Sequence, residues 1–252
     1  MKGSLTSATG RRIRVSLVAL MLGVVALSAC GDDGDNETLL TPSAPPEGAN
    51  LFVNPSFEEG PGPWISLETS AWGKPFSVSQ RQVQSGANSA LLELRSTEEG
   101  AGSAFVYGVV QELELEEFPD VLSGYYYVDR WEKGTPRQYL QFVVIVFGVP
   151  NLPAQPNHQI RYILAGVDSQ PTFISNARYV MLSRDEPKVG EWVYFERNIR
   201  EDFQELWGAA PEDFGTTRIL FEVRWDDRTR ADGLSAADVF YDNLYLGPAG
   251  ED

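Results

Sequence analysis

The chain has 252 residues, with 36 acidic against 20 basic side chains and a formal net charge of −16. Such a surface repels a polyanion, so nucleic acid is excluded as a partner. A single cysteine excludes an internal disulfide, and the fold has to stand on its core, helped at most by a metal.

Residues 1–29 divide as an export signal does: basic Lys2, Arg11, Arg12 and Arg14, an apolar run from Val15 to Leu27, then small residues before Cys30. Leu27-Ser28-Ala29-Cys30 resembles the lipobox of bacterial lipoprotein signal peptides. That resemblance implies cleavage before Cys30, a diacylglycerol on its thiol and, as a rule, an N-acyl chain. Each buried CH₂ contributes about 0.8 kcal/mol, so two or three chains hold a protein on a bilayer without a spanning helix. A plain secretory signal or a single membrane anchor are the alternatives, but the run is short of the roughly 20 residues a span requires. Nothing at Gly31 resembles an inner-membrane retention signal, which makes the outer membrane of a bacterial envelope the expected location. Loss of the signal removes four basic residues and leaves a charge of −20.

Residues 30–48 contain Gly31-Asp32-Asp33-Gly34-Asp35-Asn36-Glu37 and Thr41-Pro42-Ser43-Ala44-Pro45-Pro46-Glu47-Gly48, and almost no apolar side chains. This composition reads as a flexible tether. Residues 49–252 are long enough for one sizeable core and are expected to form a single domain.

That domain reads as strands. β-rich stretches run over Phe76 to Gln82, Ser89 to Leu94, Ala104 to Leu115, Val121 to Trp131, Gln138 to Phe147, Gln159 to Leu164, Tyr179 to Leu182, Glu191 to Arg200, Thr217 to Trp225 and Val239 to Leu246. In the Thr217 to Trp225 run, Ile219, Phe221, Val223 and Trp225 share one face, and Arg218, Glu222, Arg224 and the following Asp226 share the other. One helix is signalled, Arg200 to Trp207 before Gly208, with acidic residues early and glycine as the stop. About ten short strands with one helix predict an all-β, two-sheet sandwich.

Three segments carry a family resemblance. Asn50-Leu51-Phe52-Val53-Asn54-Pro55-Ser56-Phe57-Glu58-Glu59-Gly60 with Trp64 resembles the opening of carbohydrate-binding modules of the galactose-binding-domain-like jelly-roll class. Gln84 to Leu91 resembles that class's turn into the next strand, and Val239-Phe240-Tyr241-Asp242-Asn243-Leu244-Tyr245-Leu246 resembles its closing strand. The resemblance implies a jelly roll and a structural calcium held by Glu58 and Asp242, with Asn54 as a carbonyl source. Calcium takes six to eight oxygen ligands in irregular geometry, which loops supply. The plain alternative is that both carboxylates bond backbone amides as turn residues do. Residues 148–187 have no counterpart in the class and are expected to be an elaborated loop beside the binding face.

Sugar recognition needs flat aromatic surface for ring faces and polar groups for hydroxyls. Trp64, Trp192 and Trp225 fall where their strands' apolar faces turn inward, and are assigned to the core. The Tyr125-Tyr126-Tyr127-Val128-Asp129-Arg130-Trp131 segment puts aromatics on both faces of one strand, whereas a sandwich strand needs only one apolar face. Of its two faces, Tyr125, Tyr127, Asp129 and Trp131 suit a sugar better than Tyr126 and Arg130. Gln141 and Arg224 are expected to line the same groove from neighbouring strands. Cross-strand aromatic packing without a ligand is the plain alternative.

For catalysis the sequence offers little. His158 is the sole histidine, and no nucleophile elbow, phosphate loop or metal-ligand spacing is present. Glycoside hydrolysis needs only two carboxylates at a set separation, yet pairs such as Asp129 with Glu132, or Asp226 with Asp227, read more simply as strand ends and turns. The expected function is therefore a non-catalytic, lipid-anchored binder of polysaccharide or oligosaccharide. The alternative is an envelope lipoprotein using the same sandwich to grip a protein partner.

Overall fold

The structure is a computed structural model that describes residues 49–67, 73–96, 104–227 and 233–250. The export signal, Cys30 and the tether lie outside the described residues. Among the described residues no helix is long and apolar enough to cross a membrane.

Twelve strands and one helix follow in chain order: β1 Ile65–Ser66, β2 Gly73–Lys74, β3 Ser77–Ser79, β4 Ser89–Arg95, β5 Phe105–Leu113, β6 Val121–Glu132, β7 Gln138–Phe147, β8 Asn157–Ala165, β9 Ala177–Met181, β10 Trp192–Asn198, α1 Ile199–Trp207, β11 Thr217–Trp225 and β12 Ala236–Gly247. Sheet A runs in the order β1-β5-β11-β7-β8-β9, with β2 also on β5, and sheet B in the order β10-β6-β12-β4-β3. Pairing is antiparallel except for β2 with β5 and β8 with β9. The fold is a two-sheet jelly-roll β-sandwich.

Alternation decides which side chains meet between the sheets. From sheet A, Leu140, Phe142, Val144 and Val146 of β7 and Ile219, Phe221, Val223 and Trp225 of β11 turn inward. From sheet B, Leu122, Tyr126 and Val128 of β6 and Ala237, Val239 and Tyr241 of β12 meet them. Phe221 is the hub, fully buried, with the rings of Phe52, Trp64, Phe142, Phe195 and Tyr241 at centroid distances of 5.4–6.3 Å. Burying a side chain of this kind contributes about 1.5–3 kcal/mol. Strand β7 is apolar on both faces because Val143 and Ile145 pack outward with Val110 and Leu220 in a second small cluster.

The helix begins where Asn198 accepts a hydrogen bond from Glu201 N at 3.1 Å, with Glu201 and Asp202 in its first turn, and it ends at Gly208. Its Ile199, Phe203 and Trp207 join the core. Arg197 holds Asp202 from the preceding strand. At the opposite end of the chain order, Asn50 and Leu51 close on β12: Asn50 Nδ2 donates to Leu244 O, Leu246 N to Asn50 Oδ1, and Leu51 N to Leu246 O, at 2.7–3.1 Å.

Three expectations change. Trp192 is not a core residue: it lies opposite Tyr127 on the outward face of sheet B, because Val193 and Phe195 are the inward side chains of β10. Residues 148–187 carry β8 and β9 where β-rich stretches were expected, and what changes is their place: they extend sheet A by two strands. The two-residue strands β1 and β2, too short to show a period, have no sequence signal.

Candidate functional site

The opening, middle and closing motifs meet at one turn, residues 84–88. Asp242 is fully buried and its Oδ2 accepts Gln84 N at 2.8 Å and Ser85 N at 2.9 Å, while Oδ1 accepts Asn243 N at 2.6 Å. Asn243 follows in left-handed conformation, φ 48°, a region asparagine tolerates, and there β12 slips its register against β6. Glu58 accepts Ala87 N on both oxygens and Asn88 N on Oε1, at 2.9–3.1 Å. Gly86, at φ 72°, permits this approach: a Cβ there would lie 2.5 Å from Glu58 Oε1. Asn54 organises the opening loop, its side chain donating to Gly60 O and Gly62 O and its carbonyl accepting Trp64 Nε1 at 2.8 Å and Phe57 N at 3.2 Å.

These residues do not fit a calcium cage in this arrangement. Every oxygen that Glu58, Asp242 and Asn54 would offer already accepts an N–H, and among the described residues no three His, Cys, Asp or Glu side chains are placed to hold a metal. The carboxylates act as anchors for the turn's amides. Burial leaves its mark on Asp242: desolvation lifts its carboxyl from 3.8 to about 6, against the lowering effect of the Ser85, Gln84 and Asn243 amides.

On the outward face of sheet B, Tyr125 and Tyr127 stand beside two aromatics of β10. Tyr125 pairs with Tyr194 at 5.1 Å and Tyr127 with Trp192 at 5.4 Å between ring centroids. Asp129 is on the same face, bound to Arg81 at 2.7 Å. Trp131 is not. Val128 faces Val239 and Arg130 faces Asp238, so Asp129 is an extra residue in the ladder. This bulge reverses the alternation: Trp131 pairs with Ala237, packs against the core and donates to Glu186 Oε2 at 2.7 Å. The expected four-residue face is thus three residues, joined by Trp192 and Tyr194.

Gln141 and Arg224 lie elsewhere, on the outward face of sheet A, so they do not share a groove with the tyrosines. They are on adjacent strands as expected, in a row of buried polar side chains. Gln141 Nε2 donates to Glu222 Oε2. Arg224 Nη1 is 3.7 Å from Glu222, Arg224 Nη2 is 3.2 Å from Asp226, and the Tyr139 hydroxyl donates to Asp226 Oδ2 at 2.9 Å. Gln141, Glu222 and Asp226 are no more than 5% exposed. Gln141 Oε1 and Arg224 Nε are nevertheless buried without a hydrogen-bond partner. Burial alone would depress the Arg224 guanidinium, but Tyr139, Glu222 and Asp226 carry it upward, so it stays charged; desolvation raises the Tyr139 hydroxyl well above its ordinary value, so it stays a donor. Leu67 lies over this row where Gly108 has no side chain, 2.6 Å from the position a Cβ would take.

The same face continues onto β8 and β9, where Tyr179 and Met181 pack against Tyr139, Ile163 and Val167. The register runs Glu222, Gln141, Ile163, Met181 in one line and Leu220, Val143, Arg161, Tyr179 in the next. Arg161, Tyr179 and Met181 are half-buried. Glu222, Arg161 and Tyr179 were not singled out from sequence as binding residues. The available signal was alternation, since Glu222 shares a face with Arg224.

His158 serves neither face. It is buried edge-on against Trp207 at 4.6 Å, and desolvation lowers its imidazole below the ordinary value.

No family model and no curated protein matches the chain. Solved structures do. A family 61 carbohydrate-binding module in complex with β-1,4-galactotriose is 14% identical, with a TM-score of 0.41 over 79% of this chain and 98% of that one. A family 22 xylan-binding domain from Paenibacillus barcinonensis is 14% identical, with a TM-score of 0.43 over 76% and 96%. The endo-β-1,4-glucuronan lyase of the fungus Trichoderma reesei is 12% identical, with a TM-score of 0.49 over 80% and 96%.

Proposed function

We propose that this domain binds a neutral polysaccharide along the outward face of sheet A, without catalysis, and that Cys30 anchors it by lipid to a bacterial envelope, at the outer membrane. The observation that carries the reading is the buried row of Tyr139, Gln141, Glu222, Arg224 and Asp226, with Gln141 Oε1 and Arg224 Nε lacking partners. A sheet face that only had to be covered would be apolar, because each unsatisfied buried polar atom costs about 1–3 kcal/mol. Sugar hydroxyls both donate and accept, so they complete an amide oxygen and a guanidinium N–H together. Tyr179 and Met181 pack against Tyr139 and Ile163 at the end of the row, so a ligand meets the Tyr179 ring and Arg161 first and reaches the row as that cover moves aside.

Charge sets the ligand class. Arg224 is flanked by two carboxylates and the chain carries −16, so Arg161 is the one cation on the described part of this face that no carboxylate balances, which favours a neutral glycan over a run of uronates. Binding rather than bond cleavage is supported by the engagement of the candidate acid pairs: Asp226 is held by Arg224, Asp227 by Arg137, Asp129 by Arg81 and Glu132 by Arg130.

Gel retardation of the full-length protein in detergent on β-1,4-galactan, xylan and glucuronan tests the reading. Retention by a neutral glycan, lost in Tyr179→Ala and in Gln141→Leu with the melting temperature kept and no new reducing ends formed, supports it. Retention unchanged in both variants, or glucuronan as the preferred ligand, overturns it. Cys30→Ala should move the protein from the membrane to the soluble fraction; continued membrane retention rejects the lipid anchor.

A further inference from the structure

We infer that the outward face of sheet B is a second carbohydrate site, so that one domain bridges two glycan chains. Strand β10 meets its packing needs with Val193 and Phe195, which turn inward. Its outward Trp192 and Tyr194 are surplus to the core and remain half-buried. With Tyr127 and Tyr125 they make two ranks of paired rings, two residues apart along the strands, about 7 Å. Tyr125 is buried and each pair is tilted by 53°, so Trp192, Tyr194 and Tyr127, all half-buried, are the ring surface this face offers to a chain of pyranose rings.

Polar groups flank the rings on both sides. The Arg81 guanidinium lies 5.5 Å over the Phe240 ring, itself 6.2 Å from Tyr127, and is bonded to Asp129 and Asp238. At the other end the Tyr194 hydroxyl donates to Glu196. Beside this face, at the edge between the two sheets, Trp192 and Tyr194 border a groove of about 760 Å³ that is also lined by the inward Tyr126, Val193 and Phe195 and by residues 181–183, a size that accepts a small ligand. None of the large exposed aliphatic or phenylalanine side chains among the described residues stands on β6, β10 or β12. Rings with charged neighbours and no broad apolar patch favour sugar over a docked protein.

The core separates this face from the row at Gln141 and Arg224, so one glycan segment cannot occupy both. The inference borrows its ligand class from the proposed function and none of its residues. Its test is calorimetric stoichiometry on the full-length protein with xylohexaose and β-1,4-galactohexaose, and turbidity with the long polymers. Two oligosaccharides per protein are expected, with one lost in Trp192→Ala, the other lost in Tyr179→Ala, and polymer cross-linking lost in both. Loss of one stacked ring should weaken its own site about tenfold; Tyr127→Ser repeats the test should Trp192→Ala fold poorly.

A single site lost in Tyr179→Ala and indifferent to Trp192→Ala and Tyr127→Ser overturns the inference and leaves the proposed function intact. A single site lost in Trp192→Ala alone removes the proposed site on sheet A and overturns the inference too, since one site cannot bridge two chains. No saccharide binding at either face overturns both. Capture of an envelope protein that is lost in Trp192→Ala, with no saccharide on this face, assigns it to protein docking and overturns the inference.

Discussion

The ionised form of Asp242 should cost the folded domain stability at neutral pH. Its carboxyl is fully buried, and desolvation lifts it from 3.8 to about 6 despite the amides of Ser85, Gln84 and Asn243. In the unfolded chain the group titrates at its ordinary value, so between these two points the folded state holds more of the proton. The stability this provides is fully present below the unfolded value and is lost as pH rises through about 6. At about 1.36 kcal/mol per pH unit, the interval corresponds to about 3 kcal/mol. Asp242→Asn stays neutral throughout. It keeps an oxygen for Gln84 and Ser85 and sets an NH₂ against Asn243 N–H, an offset that does not depend on pH. Urea titrations of the full-length protein and the variant, at about pH 4 and about pH 8, isolate the residue, because the other carboxylates titrate alike in both. Between these two pH values the difference in unfolding free energy should shift by about 2.4 kcal/mol in the variant's favour, because pH 4 already lies just above the unfolded value. A difference constant with pH refutes the reasoning. A shift in the parent's favour does so too, and is what bound calcium would produce, since a cation beside the carboxylate holds its pKa down.

The amide-anchored geometry of Glu58 and Asp242 implies a melting temperature indifferent to chelator; a rise on adding calcium, abolished in Asp242→Ala, would make them ligands. Phe221→Ala removes the ring that five others share, and should cost about 3–5 kcal/mol in denaturant titration. His158 has the opposite sign from Asp242: its imidazole is lowered by burial, so the folded state resists the proton and loses stability as pH falls below the ordinary histidine value. Parallel melts of His158→Phe should lack that acid-side loss, and an identical pH profile would remove the assignment.

Most of the sandwich was readable because its longer strands are runs of aliphatic and aromatic residues set apart by glycine, proline and asparagine, with a period of two in β11. β7 and β11 have the bounds expected of them, and α1 begins one residue early, at Ile199. The candidate sites were less readable because they depend on strand order and on single insertions. Asp129 shows why: one extra residue in β6 sends Trp131 inward, and nothing in Tyr125-Tyr126-Tyr127 announces it. Trp192 was misread since an aromatic in a strand suggests the core until its inward neighbours, Val193 and Phe195, are known. Gln141 and Arg224 were paired correctly by type and placed beside the wrong partners, as β7 and β11 belong to sheet A and β6 to sheet B.

The seam between Asn50-Leu51 and β12 has a mechanical meaning. Any pull exerted through the chain before Ala49 enters the domain there, on three neighbouring hydrogen bonds backed by the rings of Phe52, Phe57 and Trp64. Strands β7 and β11 belong to the other sheet and, among the described residues, meet the seam only through the rings of Phe52 and Trp64 on Phe221, with no backbone hydrogen bond to it. In a tethered domain holding a glycan under flow, the seam would yield before the sheet A face is distorted, and its strength would set how long the hold lasts.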